Sequence, residues 1–172
     1  MATQLQDILV FVKGKLDTYL QANFTQRLTD AGLSDITLSS SAVRIRTDGS
    51  ESPVLSWPEV RVSLGRITTP NSLMSNKGNT LSPFSQYRVP IRVRLLVRAP
   101  KGKPDLLERV GLCLADATID VLEKHLLGDN LQGAPFVELN PSDPREQPDG
   151  PGIIRELLLI HDLRFRRQRQ TL

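Results

Sequence analysis

Between Tyr87 and Val97 the apolar residues Tyr87, Val89, Ile91, Val93, Leu95 and Val97 hold odd positions, while Arg88, Arg92, Arg94 and, just beyond, Arg98 hold even ones. Side chains alternate across a β-strand, so this segment prescribes a strand with one apolar face and one face lined by guanidinium groups. Such a strand belongs in a sheet covered on one side only, which favours antiparallel pairing. One face is committed to a core, and the other is left for solvent or a partner.

The rest of the chain supplies what must cover the apolar face. Leu5, Ile8, Leu9, Val12, Leu16, Tyr19, Leu20, Phe24 and Leu28 recur at three- and four-residue intervals, which predicts an amphipathic helix over 3–31 stopped by Gly32. A second helix is expected over 104–127, with Pro104 and Asp105 in its first turn, Gly128 after its end, and an apolar stripe from Leu106 to Leu126. Strands are predicted at 36–47, where Val43 and Ile45 alternate with Arg44 and Arg46, and around Val60, Val62 and Leu64. Asp48-Gly49 reads as a turn between those two strands, and Pro53 and Pro58 as breakers ahead of the second. A last long strand is expected over 153–166, with Leu157, Leu159, Leu163 and Phe165 on one face.

Three segments read as irregular. Residues 68–86 are polar and carry no periodicity, and their Leu73, Met74, Leu81 and Phe84 suggest an arm that becomes ordered against a partner. Residues 128–152 read as a proline-rich loop, with a short strand possible at 136–139, and residues 164–172 as a basic tail carrying Arg164, Arg166, Arg167 and Arg169. The expected architecture is a single α+β domain spanning 1–172. Its mostly antiparallel sheet has about four strands and two long helices on one side, and a long polar arm follows the second strand.

Composition bounds the function. A chain of 172 residues with 39% hydrophobic and 24% charged residues is ordinary for a globular domain, and a net charge of +3 is too slight to imply a dedicated nucleic-acid binder. Cys113 is the single cysteine, which excludes an intrachain disulfide and a cysteine metal cluster and reads as a buried, inert thiol. No secretory signal or membrane-spanning run is legible, so a cytosolic site of synthesis is expected.

Catalytic chemistry is not legible either. His125 and His161 are the two histidines and lack an acidic cluster at metal-ligand spacing. Asp116 and Asp120 share a helix face, but Lys124 continues the same row, which reads as a solvated face. Ser39, Ser40 and Ser41 form no nucleophile elbow, and Gly111 and Gly128 no phosphate loop. The expectation is a protein without catalytic residues, metal or cofactor.

The arginines divide two ways. Arg61, Arg92, Arg94, Arg155 and Arg164 could form a solvated face partly neutralised by Glu156 and Asp162. Arginine instead of lysine dominates the strands, however, and its planar fork suits bidentate contact with carboxylate or phosphate, which favours an interface. Aromatics are only 5% and do not interleave with the arginines as stacking on nucleic acid would require.

The order of these elements, a long helix, strands at Val43 to Arg46 and Val60 to Leu64, a polar arm, a long strand, a helix from Pro104 to Leu127 and a final strand running into a basic end, resembles that of the small neck and tail-completion proteins of long-tailed bacteriophages, above all the tail terminators. The resemblance implies an α/β subunit with helices on one side of a mostly antiparallel sheet, forming a ring that caps the tail tube and meets the head connector. It implies as partners further copies of the chain, the tail tube or sheath protein, a neck or head-connector protein, and DNA passing without sequence-specific binding; two elongated loops and an uncovered strand face, more contact surface than a monomer needs, favour a hexamer. It implies no membrane, a place in the tail or neck of the virion, and assembly in the host cytoplasm. The resemblance transfers no single residue. The candidate interface residues, Arg88, Arg92, Arg94, Arg98, Leu73, Met74, Leu81, Phe84, Arg164, Arg166, Arg167 and Arg169, come from the strand pattern, the arm and the tail. A channel for DNA should not grip phosphate, so the arginines are expected to meet acidic neighbours. The alternative is a nucleic-acid-associated accessory domain that uses the same arginines on phosphates.

Overall fold

A computed structural model describes residues 5–33, 35–46, 53–68, 84–126, 131–147 and 150–168. The first helix, α1 (Leu5–Asp30), runs through Gly14 without interruption and buries Ile8, Val12, Leu16, Leu20, Phe24 and Leu28, a stripe at four-residue spacing. It stops where the sequence says it should. Gly32 takes φ +69, a conformation costly for any residue with a Cβ, and the Leu33 and Gly32 amides then donate to the Leu28 and Thr29 carbonyls that the helix leaves open.

The strands that follow are β1 (Val43–Ile45), β2 (Glu59–Leu64) and β3 (Phe84–Pro100). After α2 (Pro104–His125) come β4 (Leu131–Pro141), β5 (Arg145–Glu146) and β6 (Gly152–Gln168). They form one six-stranded sheet in the order β1-β2-β3-β6-β4, with β5 added to β6. Its spine is the antiparallel ladder of β3 and β6, 17 residues each, paired from Phe84 with Gln168 to Pro100 with Gly152.

Four expectations need correction. The sheet is mixed, because β1 pairs parallel to β2, with Val43 opposite Val60 and Ile45 opposite Val62. The stretch between them is therefore no hairpin: parallel neighbours require a crossover of about a dozen residues, which 46–58 supplies. Asp48 and Gly49 lie outside the described residues. The strand expected over 36–47 shrinks to β1, and the sheet has six strands instead of about four.

The third correction is the proline-rich segment. Residues 131–141 form β4, which pairs with β6 through Val137 to Pro141 and, after a register shift, through Leu131 to Gly133. Proline lacks an amide donor and is tolerated here because β4 bonds on one side only. The fourth concerns the arm and the tail. β3 already begins at Phe84, Thr68 bridges to Arg88, and β6 continues through Arg164, Arg166 and Arg167 to Gln168, so these arginines belong to the sheet. Residues 69–83 and 169–172 lie outside the described residues.

Both helices cover one face of the sheet, α1 over β1 and β2 and α2 over β3 and β6. The odd residues of β3 from Val89 to Ala99, with Val60, Val62, Leu157, Leu159 and Leu163, meet Leu107, Val110, Leu114, Ala117, Val121 and Leu122 of α2 in one core. α2 packs tightly on the sheet at Gly111, where a Cβ would lie 3.1 Å from Leu157 Cδ1. The central-strand periodicity read from the sequence is thus the burial pattern, and the two-helices-on-one-side architecture holds.

Candidate interaction face

Cross-strand partners share a face, and the ladders therefore define the uncovered side of the sheet residue by residue. Arg94 lies between Arg61 of β2 and Leu158 of β6, Arg92 between Ser63 and Ile160, Arg98 opposite Ile154 and Arg88 opposite Arg164. Arg44 of β1 joins the row beside Arg61, and Glu138 of β4 faces Ile160. The result is a band of arginines running across the strands, with half-buried Ile154, Leu158 and Ile160 set among them.

Carboxylates on this face temper the charge. Asp162 accepts from both Nε and Nη2 of Arg88. This pairing raises the pKa of the Arg88 guanidinium. Arg94 Nε stands 3.5 Å from Glu156 Oε1 without completing a hydrogen bond. Glu59, fully buried, takes Arg61 Nε at 2.5 Å on Oε1 and the Leu55 amide at 2.9 Å on Oε2, so segment 53–58 is held over this end of the sheet. There Arg98 lies over the Trp57 ring, 5.4 Å from its centroid. Beyond these pairs the face remains basic: Arg44, Arg61, Arg88, Arg92, Arg94, Arg98 and Arg164 share it with Glu59, Glu138, Glu156 and Asp162. A depression of about 290 Å³ opens between Arg66, Arg88, Arg92, Glu138 and Asp162.

The candidate residues divide accordingly. Arg88, Arg92, Arg94, Arg98 and Arg164 stand together on one face, and Phe84, Arg166 and Arg167 are placed in the β3–β6 ladder by register. Leu73, Met74, Leu81 and Arg169 lie outside the described residues. Arg155 departs from expectation: it pairs with Val97 on the helix-covered side, where its Nε donates to the Ser142 carbonyl at 2.9 Å and its Nη1 stands 3.9 Å from Glu108.

On the helix side, the row of Asp116, Asp120 and Lys124 is more than a solvated face. Arg27 of α1 reaches Asp116 at 2.8 Å and Asp120 at 2.7 Å, while Lys124 stands 3.3 Å from Asp120. Nothing in the sequence around Arg27 signals this partner, because the pattern of α1 carries no information about the other helix. Cys113 is half-buried, its thiol donating to the Arg27 carbonyl at 3.6 Å, and burial pushes its pKa up. A shallow apolar groove of about 560 Å³ runs beside it, past Leu112, Ile119 and Leu139. His125 stacks on Tyr19, ring centroids 3.8 Å apart. His161 is buried on the core side of β6, with neither ring nitrogen hydrogen-bonded to a described residue, and burial lowers its pKa.

Among the described residues no group of three or more His, Cys, Asp or Glu side chains is placed to hold a metal ion. Nor is any helix among them long and apolar enough to cross a membrane.

These features define an α+β protein with two helices on one side of a mixed six-stranded sheet and an arginine-bearing face on the other. No family model matches the chain, and no curated protein does. Among solved structures it is similar to a chain of the virion of a native gene transfer agent particle, at 14% identity over 87% of this chain and 97% of that one, with a TM-score of 0.34. A second solved chain is also 14% identical, over 90% of this chain and 97% of that one, with a TM-score of 0.31.

Proposed function

We propose that this protein is a structural subunit of a phage-type virion, and in particular the tail terminator: a ring-forming protein at the head-tail junction that caps the tail tube and joins it to the neck. The observation that carries this reading is the uncovered sheet face, where Arg92 and Arg94 flank half-buried Leu158 and Ile160. Aliphatic groups interleaved with guanidinium forks suit a protein interface better than open solvent. The order of elements, with two helices confined to one side of the sheet, is the layout on which the resemblance to tail-completion proteins rests. The subunit acts by interlocking with neighbours and not by catalysis. It holds no cofactor, its partners are further copies of itself, the tail tube or sheath and the connector, and DNA passes without being read.

Native mass measurement and imaging of the purified protein, alone and with tail tubes, test this. A closed ring, six subunits in the simplest case, seated at one end of the tube is expected. Monomer under both conditions overturns the proposal. Retention of DNA that weakens steeply with salt and is lost on reversing the arginines would instead favour the nucleic-acid reading, because phosphate contacts release counterions.

A further inference from the structure

The outer surface of α2 is the chemical complement of the uncovered sheet face. Between Pro104 and His125 the helix carries Asp105, Glu108, Asp116, Asp120 and Glu123 against Arg109 and Lys124, with Arg27 of α1 meeting Asp116 and Asp120 and Arg155 of β6 standing near Glu108. Glu108 and Asp116 keep 60% and 56% of their side-chain surface exposed, and between them Leu112 is 50% exposed, a large aliphatic residue that no element among the described residues covers. One surface is therefore acid, leucine, acid along a helix. The other is arginine, aliphatic, arginine across strands.

The two lie on opposite sides of the molecule, because α2 packs its other face on β3 and β6. Two different, mutually complementary patches on opposite sides generate head-to-tail association, and head-to-tail contacts close into rings when the rotation permits. Arg94 adds a local reason, since 41% of its side-chain surface stays exposed even beside Glu156.

We propose that the occupant of the uncovered sheet face is the α2 surface of a second copy of this chain, with Glu108 and Asp116 of one subunit meeting Arg92 and Arg94 of the next and Leu112 seated against Leu158 and Ile160. The proposal rests on the ring reading above and names the contact that would build the ring. Opposite charge on the two patches gives the junction its register and excludes the sheet-to-sheet and helix-to-helix alternatives, which would set like charges together. The contact is expected to loosen as salt is raised.

The test is a charge-exchange experiment on the full chain. One variant carries Arg92→Glu with Arg94→Glu, the other Glu108→Lys with Asp116→Lys; all four side chains lie outside the core, and circular dichroism confirms folding of each. Each variant alone is expected to lose assembly, by a shift to monomer in native mass and sedimentation. Mixed in equal amounts they are expected to recover it, because both kinds of junction in an alternating ring are again of opposite charge, and the product should contain even numbers of subunits. As an independent measure, Arg94→Lys keeps the charge and supplies an amine for zero-length coupling to carboxylates. Peptides joining position 94 of one isotopically labelled copy to α2 of an unlabelled one are expected.

A wild-type ring that survives both reversals, or coupling that joins position 94 only to other elements, overturns this contact while leaving the ring reading intact. A wild-type protein that stays monomeric with and without tail tubes overturns both. Loss of assembly in each variant without recovery on mixing overturns the pairing of these two faces.

Discussion

The Arg27 guanidinium donates to Asp120 Oδ2 at 2.7 Å, joining α1 to α2 across the outer surface of the helical layer, and the same side chain reaches Asp116. Burial pushes the Asp120 carboxyl up, but the hydrogen bonds from Arg27 and Lys124 outweigh it and hold the group below its ordinary value. A depressed carboxyl contributes stability that is present above its unfolded pKa and is lost as pH falls through the folded one. In Arg27→Gln the Asp120 pKa is expected to rise, while Leu28, buried beside it, should stay packed. Carboxyl-carbon NMR titration of the two proteins checks this, and an unmoved Asp120 would mean that Lys124 alone sets it.

His161 titrates in the opposite sense to a paired histidine. It faces Ile91 across the ladder and is 1% exposed, and burial lowers its pKa despite the raising fields of Glu123 and Asp162. Below the unfolded value near 6.5 the unfolded chain takes up a proton that the folded chain resists. Stability should then be full above about pH 6.5 and fall as pH drops, with a slope of at most about 1.4 kcal/mol per pH unit from this one group. His161→Leu should abolish that slope without loss at neutral pH, because neither ring nitrogen is hydrogen-bonded to a described residue. Urea unfolding between pH 5 and 8 is the measurement, read over the range ~5–8 where histidine titrates.

Gly111 is where α2 rests on the sheet. A Cβ there would lie 3.1 Å from Leu157 Cδ1 and 3.5 Å from Val97 Cγ2. Gly111→Ala should be close to neutral, since about 1 kcal/mol of helix propensity offsets a small shift of the flexible Leu157 side chain. Gly111→Val should cost about 1–3 kcal/mol, because the added methyls overpack a filled core. Thermal unfolding of the pair separates a tight fit from a slack one.

Tyr19 and His125 stack with planes only 5° apart, tying the middle of α1 to the end of α2. A double-mutant cycle with Tyr19→Leu and His125→Leu should return a coupling of about 0.5–1.5 kcal/mol. A coupling near zero would show that the rings are neighbours without mutual stabilisation.

Much of this architecture was legible because periodicity is a property of the chain alone. The four-residue stripe from Ile8 to Leu28 and the odd-position series from Val89 to Val97 name their buried faces before any fold exists, and Gly32 marks its helix end through a φ that other residues avoid. The arginine face follows from the same alternation. Of β4 only a short strand at 136–139 was legible, since Pro135 and Pro141 argue against a longer one until it is known to be an edge.

Pairing direction and cross-element contacts belong to the tertiary structure. Nothing in Val43 to Ile45 says parallel or antiparallel; the choice is made by where α1 and the crossover deliver the strand beside β2. Likewise Arg27, Asp116 and Asp120 meet only because two helices, each plausible by itself, pack on the same face of the sheet. Which side of each element is buried can be read along the chain, because it depends on residues a few positions apart. Which surfaces oppose which emerges with the packed fold, because it depends on residues brought together from distant parts of the chain.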